Sequence, residues 1–289
     1  MRALAAVITC VGLAGCGSES NGAGGSAEPP LGTRLKITDT RELRLPLDSY
    51  RLSREEQWSL TVARVPLVER CMKQYGFDYH MVLPQRRFPM ADNERIFGLT
   101  DEDSAHAYGY RLPPQKLEKL PPEPELTPQG QAVMEGSGQS TYKGVQVPKG
   151  GCDGESKRAL MKGAPQVEDT DAAGVLALQV ADRVEQDSRV RRAFADWSAC
   201  MKKRGFNYQN PMDPNNDPNN NAHATASKRE IETAVADVRC KRETNLISTW
   251  ATVTVAYQKR AVEENAERLK VQKQALQTML RNANQAQHA

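Results

Sequence analysis

Histidine occurs only four times in this chain of 289 residues, at His80, His106, His223 and His288, and none of the four belongs to an H-E-x-x-H pair. The signature of a zinc hydrolase is therefore missing. No two cysteines stand in a C-x-x-C pair, which argues against a thioredoxin-type redox site and a zinc knuckle. There is no G-x-S-x-G elbow, no phosphate-cradling glycine loop and no dinucleotide fingerprint. Gly136-Ser137-Gly138 lies in a loop-rich stretch without the strand that a nucleophile elbow needs. Charge of one sign is not in excess. The formal net charge is +3, which gives no global basic field for nucleic acid. Aromatic content is 6%, so the expected core is modest. No metal or organic cofactor is expected, and no apolar run is long enough to span a bilayer.

What is present begins at Met1. One positive charge, Arg2, precedes the apolar run Ala3 to Ile8 and then a set of small residues, which is the layout of a secretory signal over residues 1–15. Leu13-Ala14-Gly15-Cys16 resembles the bacterial lipobox. The resemblance implies that the Cys16 thiol takes a diacylglyceryl group, that the signal is removed, and that the new amino terminus is acylated, palmitate being one such chain. It further implies a location on the outer face of a cell membrane. Residues 16–45 read as the lipidated terminus and a flexible stalk, with Ser, Asn, Gly, Ala and Pro prevailing from Gly17 to Thr33.

Beyond Cys10 in the signal and Cys16, four cysteines remain: Cys71, Cys152, Cys200 and Cys240. In an oxidising compartment four can close two disulfides. The chain also contains a duplication. Cys71-Met72-Lys73-Gln74-Tyr75-Gly76-Phe77-Asp78-Tyr79 recurs as Cys200-Met201-Lys202-Lys203-Arg204-Gly205-Phe206-Asn207-Tyr208. Apolar residues at helical spacing lead into each copy: Trp58, Val62, Val65, Val68 and Met72 in the first, and Val180, Val184, Phe194, Trp197 and Met201 in the second. The shared glycine then marks a helix C-terminus, with the following Phe and Tyr folded back on the helix. Pro66 is expected to kink the first helix, and the second has no such break. Lys202, Lys203 and Arg204 suit the negative end of a helix, with anionic lipid as an alternative contact. Each copy carries a later cysteine with Glu three residues on, Cys152 with Glu155 and Cys240 with Glu243. That echo favours Cys71 with Cys152 and Cys200 with Cys240, although four cysteines allow three connectivities and the sequence by itself selects none.

With its lipobox and two C-M-x3-G-F-x-Y segments, each followed by a further cysteine, the chain resembles a group of secreted lipoproteins of actinobacteria. The resemblance implies a compartment and a fold, and it brings no activity with it.

Thr100 is the expected cap of a short helix that ends at Gly109. Residues 112–151, dense in proline and glycine, read as loop. Asp213 to Asn221 reads as a solvated linker, because the alternation and terminal bidentate acid of a calcium loop are missing. From 226 to 285 good helix formers run without Gly or Pro, and one long helix is expected, docked on its own chain or engaged in self-association or with a partner helix. The fold class is thus mainly α: two disulfide-stapled helical units, 46–162 and 163–289, with a loop-rich middle and a long C-terminal helix. The functional expectation is a lipid-anchored extracytoplasmic protein, not an enzyme, that binds another envelope component. The alternatives are a cell-wall or small-molecule enzyme with a site assembled from Asp78, Tyr79, Glu155 and Tyr208, and a ligand carrier.

Overall fold

The computed structural model describes residues 27–83, 85, 90–115, 119–122, 124–167, 171–221 and 225–288. The signal segment 1–15, Cys16 and the stalk residues 17–26 lie outside the described residues, as does His223.

The duplicated motif builds the same helix ending twice. Helix α1, Arg54–Gln74, starts at Ser53, whose hydroxyl accepts from the Glu56 amide while the Glu56 carboxylate accepts from the Ser53 amide at 2.8 Å. It continues across Pro66 and ends at Gly76, φ +79°, a left-handed conformation that glycine adopts without steric cost. Gly76 N–H donates to Lys73 O at 3.0 Å and Phe77 N–H to Met72 O at 3.1 Å, the paired bonds of a Schellman ending. Helix α6, Ser188–Lys203, ends in the same way. Gly205 has φ +87°, and the amides of Gly205 and Phe206 donate to Lys202 O and Met201 O at 3.0 and 3.1 Å. Phe77 and Tyr79 then pack against the Val68–Met72 cluster, and Phe206 and Tyr208 against the main core.

The apolar stretch before the second copy is not one helix. Val180 and Val184 belong to α5, Ala172–Gln186, and the chain breaks at Asp187, which takes extended dihedrals and accepts from the Arg189 amide at 2.9 Å as the cap of α6. The middle of the chain is also more regular than its composition suggests. The short helix α2 is Glu102–Tyr108. Its cap is Asp101 rather than Thr100: Asp101 accepts from Ser104 N at 2.7 Å, and the Thr100 hydroxyl instead meets that of Thr40 at 2.9 Å. Within 112–151 the structure places α3, Pro128–Glu135, and a two-stranded antiparallel hairpin, β1 Thr141–Tyr142 with β2 Val145–Gln146. Thr127 caps α3 through the Gly130 amide, and Pro128 suits the first helical turn, where its missing N–H has no partner to lose.

Both disulfides close within a copy. Cys71–Cys152 joins α1 to α4, Gly151–Met161, and Cys200–Cys240 joins α6 to α9, Lys228–Glu243; the Cα atoms are 5.6 Å apart in each. Between α6 and α9, Asp213–Asn216 and Pro218–Asn221 form two short helical turns, α7 and α8, rather than a solvated linker. Asn220 is buried and donates to Pro214 O at 2.7 Å, and Asp217 accepts from the Tyr208 hydroxyl at 2.7 Å.

The C-terminal run holds α9, then α10, Leu246–Glu264, then a long final helix α11, Ala266–Gln287. The single helix expected over 226–285 is interrupted at two asparagines. Asn245 sits at φ +53°, a left-handed position that Asn tolerates better than most residues. Asn265 leaves helical dihedrals, and its side chain returns to Ala261 O at 2.8 Å. These turns let the three helices fold back on the body. Trp197, Leu246, Trp250 and Val253 form the centre of the main core between α5, α6, α9 and α10. Helix α11 packs along α1 and α4, where Ala63, Leu160 and Ala283 are buried. The two expected units therefore share one packed body, and the final helix docks on its own chain.

The described end of the expected stalk is held against the body. From Ala27 to Leu35 the chain runs antiparallel to α10 and is held there by hydrogen bonds, before the 3-10 turn Thr40–Glu42. Arg260 donates to Ala27 O at 2.7 Å, Leu35 N–H donates to Thr252 at 3.0 Å, Ser248 donates to Leu35 O, and Glu28 accepts from Ser188 N at 2.6 Å.

Candidate functional site

Beside the start of α1 is an open cavity of about 780 Å³, within the range of small-molecule sites. Two segments build it, the stretch from Arg44 to Thr61 and the pair Asp92 and Asn93. The floor is the 3-10 turn Pro46–Tyr50, where Asp48 Oδ2 accepts from Leu45 N at 2.7 Å and from the buried Asn93 side chain at 2.6 Å; Asn93 also donates to Leu43 O at 3.1 Å. One wall is the first two turns of α1. Here the Ser53–Glu56 cap fixes the helix start, Gln57 donates to Leu52 O at 3.0 Å, and the half-buried Trp58 lines the cavity. The opposite wall carries Asp92, which accepts from Arg54 N at 3.2 Å and lies 3.6 Å from the Arg54 guanidinium.

Three arginines reach this cavity: Arg44, whose guanidinium donates to Leu43 O at 3.0 Å, Arg51, 3.9 Å from Asp171, and Arg54. Carboxylates of Asp48, Glu56 and Asp92 stand among them, so the walls alternate donors with acceptors instead of presenting one sign of charge. Asp48, Glu56 and Asp92 all accept from backbone amides, and the arginine side chains are the charged groups not tied to an amide. Among the described residues, no three His, Cys, Asp or Glu side chains are grouped so as to hold a metal ion.

A second polar cluster is internal. Asp237 is fully buried, accepts from Trp197 Nε1 at 2.9 Å and lies 3.0 Å from Lys241 Nζ, which also donates to Leu99 O at 3.0 Å. Burial pushes the Asp237 carboxyl above the usual range, against the pull of Lys241 and the hydrogen bonds it accepts. The Tyr110 hydroxyl donates to the same carboxylate at 3.4 Å, and burial drives its pKa far up. Glu230, also buried, receives Arg111 at 3.2 Å. This cluster fastens the 97–111 segment to α9, and its Lys241 also lines a small cavity of about 160 Å³.

The residues singled out in the sequence divide into separate places. Cys71, Cys152, Cys200 and Cys240 form the two disulfides. Arg204 does not face outward as a simple helix-end charge: its guanidinium lies over the second disulfide, 2.7 Å from Cys200 Sγ and 3.2 Å from Cys240 Sγ, and holds Glu243 at 2.6 Å. Tyr75 occupies the corresponding place in the first copy and donates to Gln146 O at 2.6 Å. The four residues of the enzymatic alternative do not converge. Asp78 is almost fully exposed near His80, Tyr79 packs with the first disulfide cluster, Glu155 stands near Tyr75, and Tyr208 binds Asp217 on the other side of the duplication. Burial and its hydrogen bond to Asp217 push Tyr208 up to about 12. None of the four lines the arginine–tryptophan cavity. Sequence reading missed that cavity, although Ser53-x-x-Glu56 signals a helix start and so marks one of its walls. No family model matches the chain, and neither a curated protein nor a solved structure matches it.

Proposed function

We propose that the protein is anchored by lipid on Cys16 to the outer face of a cell membrane and binds another component of the envelope through its folded body, without catalysing a reaction. The observation that carries the reading is Leu13-Ala14-Gly15-Cys16 standing a few residues ahead of a body whose other four cysteines are paired with one another. With Cys10 removed in the signal, Cys16 has no partner cysteine left in the mature chain. Two disulfides within one chain also suit an oxidising compartment. No helix among the described residues is long and apolar enough to cross a membrane, so lipid is the attachment this reading requires. The body offers an open, polar, ligand-sized cavity, which suits recognition.

Membrane fractionation of the native chain and Cys16→Ser, with metabolic labelling by an alkyne fatty acid, tests the anchor. The native chain is expected in the membrane fraction with label, and the variant unlabelled and displaced from it. A variant that stays on the membrane with its signal removed defeats the proposal.

A further inference from the structure

We infer that the cavity beside the start of α1 binds an uncharged saccharide chain. This deepens the binding-module reading and rests on it, but not on the lipid. Three observations converge. Trp58 lines the cavity half-exposed, whereas Trp197 and Trp250 are buried at 0% and 5% exposure. The C–H face of a pyranose ring is apolar and carries slight positive charge, which complements the negative face of an indole.

Next, the charges are mixed. Arg44, Arg51 and Arg54 stand among Asp48, Glu56 and Asp92, so a phosphate or carboxylate entering the site would meet carboxylates as well as guanidiniums. Sugar hydroxyls donate and accept at once, and adjacent hydroxyls match both the fork of an arginine and the paired oxygens of an aspartate. Arg54 and Asp92, 3.6 Å apart and each about half exposed, form such a pair ready made. Last, the cavity is open to solvent and about 780 Å³ in volume. A chain can therefore lie across it with its ends outside, as a polymer of the envelope would require.

The test uses the full-length chain carrying Cys16→Ser, titrated with uncharged hexasaccharides of glucose, mannose, arabinose and N-acetylglucosamine, and separately with inorganic phosphate and pyrophosphate. Calorimetry and tryptophan emission are read together. At least one hexasaccharide is expected to bind saturably and to shift the emission. Trp58→Leu is expected to weaken that binding at least tenfold, and Arg54→Ala about tenfold. Emission from the buried Trp197 and Trp250 reports whether the Trp58→Leu chain is folded, and the exposed Arg54 gives a variant that leaves the core untouched. Binding of phosphate or pyrophosphate alone, no binding by any hexasaccharide, or undiminished binding by both folded variants overturns the inference. Fractionation of Cys16→Ser is independent of all these readings, so failure of the anchor and failure of the saccharide site are told apart.

Discussion

Trp197 donates its indole N–H to Asp237 across 2.9 Å at a point where neither side chain meets solvent. The same carboxylate faces Lys241, 2% exposed, one helical turn further along α9. A buried charge that loses its partner keeps its desolvation penalty and loses the attraction that offset it. Asp237→Ala is therefore expected to destabilise the fold by about 3–5 kcal/mol, and Asp237→Leu with Lys241→Met by clearly less. Guanidinium unfolding of the three proteins checks this. A double variant as unstable as the single one shows that the pair is not what holds the segment.

Acid stability should report on Asp187. Burial alone would raise its carboxyl, yet the Arg189 guanidinium at 2.6 Å and the hydrogen bond from the Arg189 amide hold it below the ordinary aspartate range. The folded chain then binds this proton more weakly than the unfolded chain does. The stabilisation is complete above the unfolded aspartate value of about 4 and is lost as pH falls through the lower folded value. Unfolding free energies of the native chain and Asp187→Asn, measured between pH 6 and pH 2 in steps, are expected to converge toward the acid end. Parallel curves would show that Asp187 does not titrate in this way.

Gln272 links three elements from within. Its side chain accepts from Ala173 N at 3.2 Å, satisfying an amide of the first turn of α5, and donates to Tyr50 O at 2.9 Å in the 3-10 turn under the arginine–tryptophan cavity. Gln272→Ala strands both backbone groups, and the expected loss is about 1–3 kcal/mol for each group left without water. Hydrogen exchange should show the Ala173 amide losing protection before the rest of α5; unchanged exchange there contradicts the assignment.

The parts of this fold that were legible in the sequence are those fixed by local chemistry. Gly76 and Gly205 stand out because only glycine reaches φ near +80° without strain, and the repeated C-M-x3-G-F-x-Y around them exposes the equivalent disulfides. The breaks at Asn245 and Asn265 were hidden, because asparagine in a run of good helix formers carries no stronger signal than any other polar residue. Asp187 was hidden for the same reason, since one capping acid between two apolar stretches leaves their helical periodicity nearly intact. The cavity was the least legible feature. Asp48 and Asn93 meet from 45 positions apart, and no short window of sequence contains both. The buried acids Glu230 and Asp237 and the buried base Lys241 carry no mark of burial in the sequence, because burial of that face depends on the distant 97–111 segment.

The strap from Ala27 to Leu35 has a mechanical consequence. If the chain is tethered by its N-terminus, tension enters the body at Ala27, and the hydrogen bonds at Ala27, Glu28 and Leu35 bear it first. Beyond them the Cys200–Cys240 crosslink bolts α6 to α9. A pull that strips the strap would lengthen the tether and leave the crosslinked core intact, which makes the strap a reserve of slack between the membrane and the body.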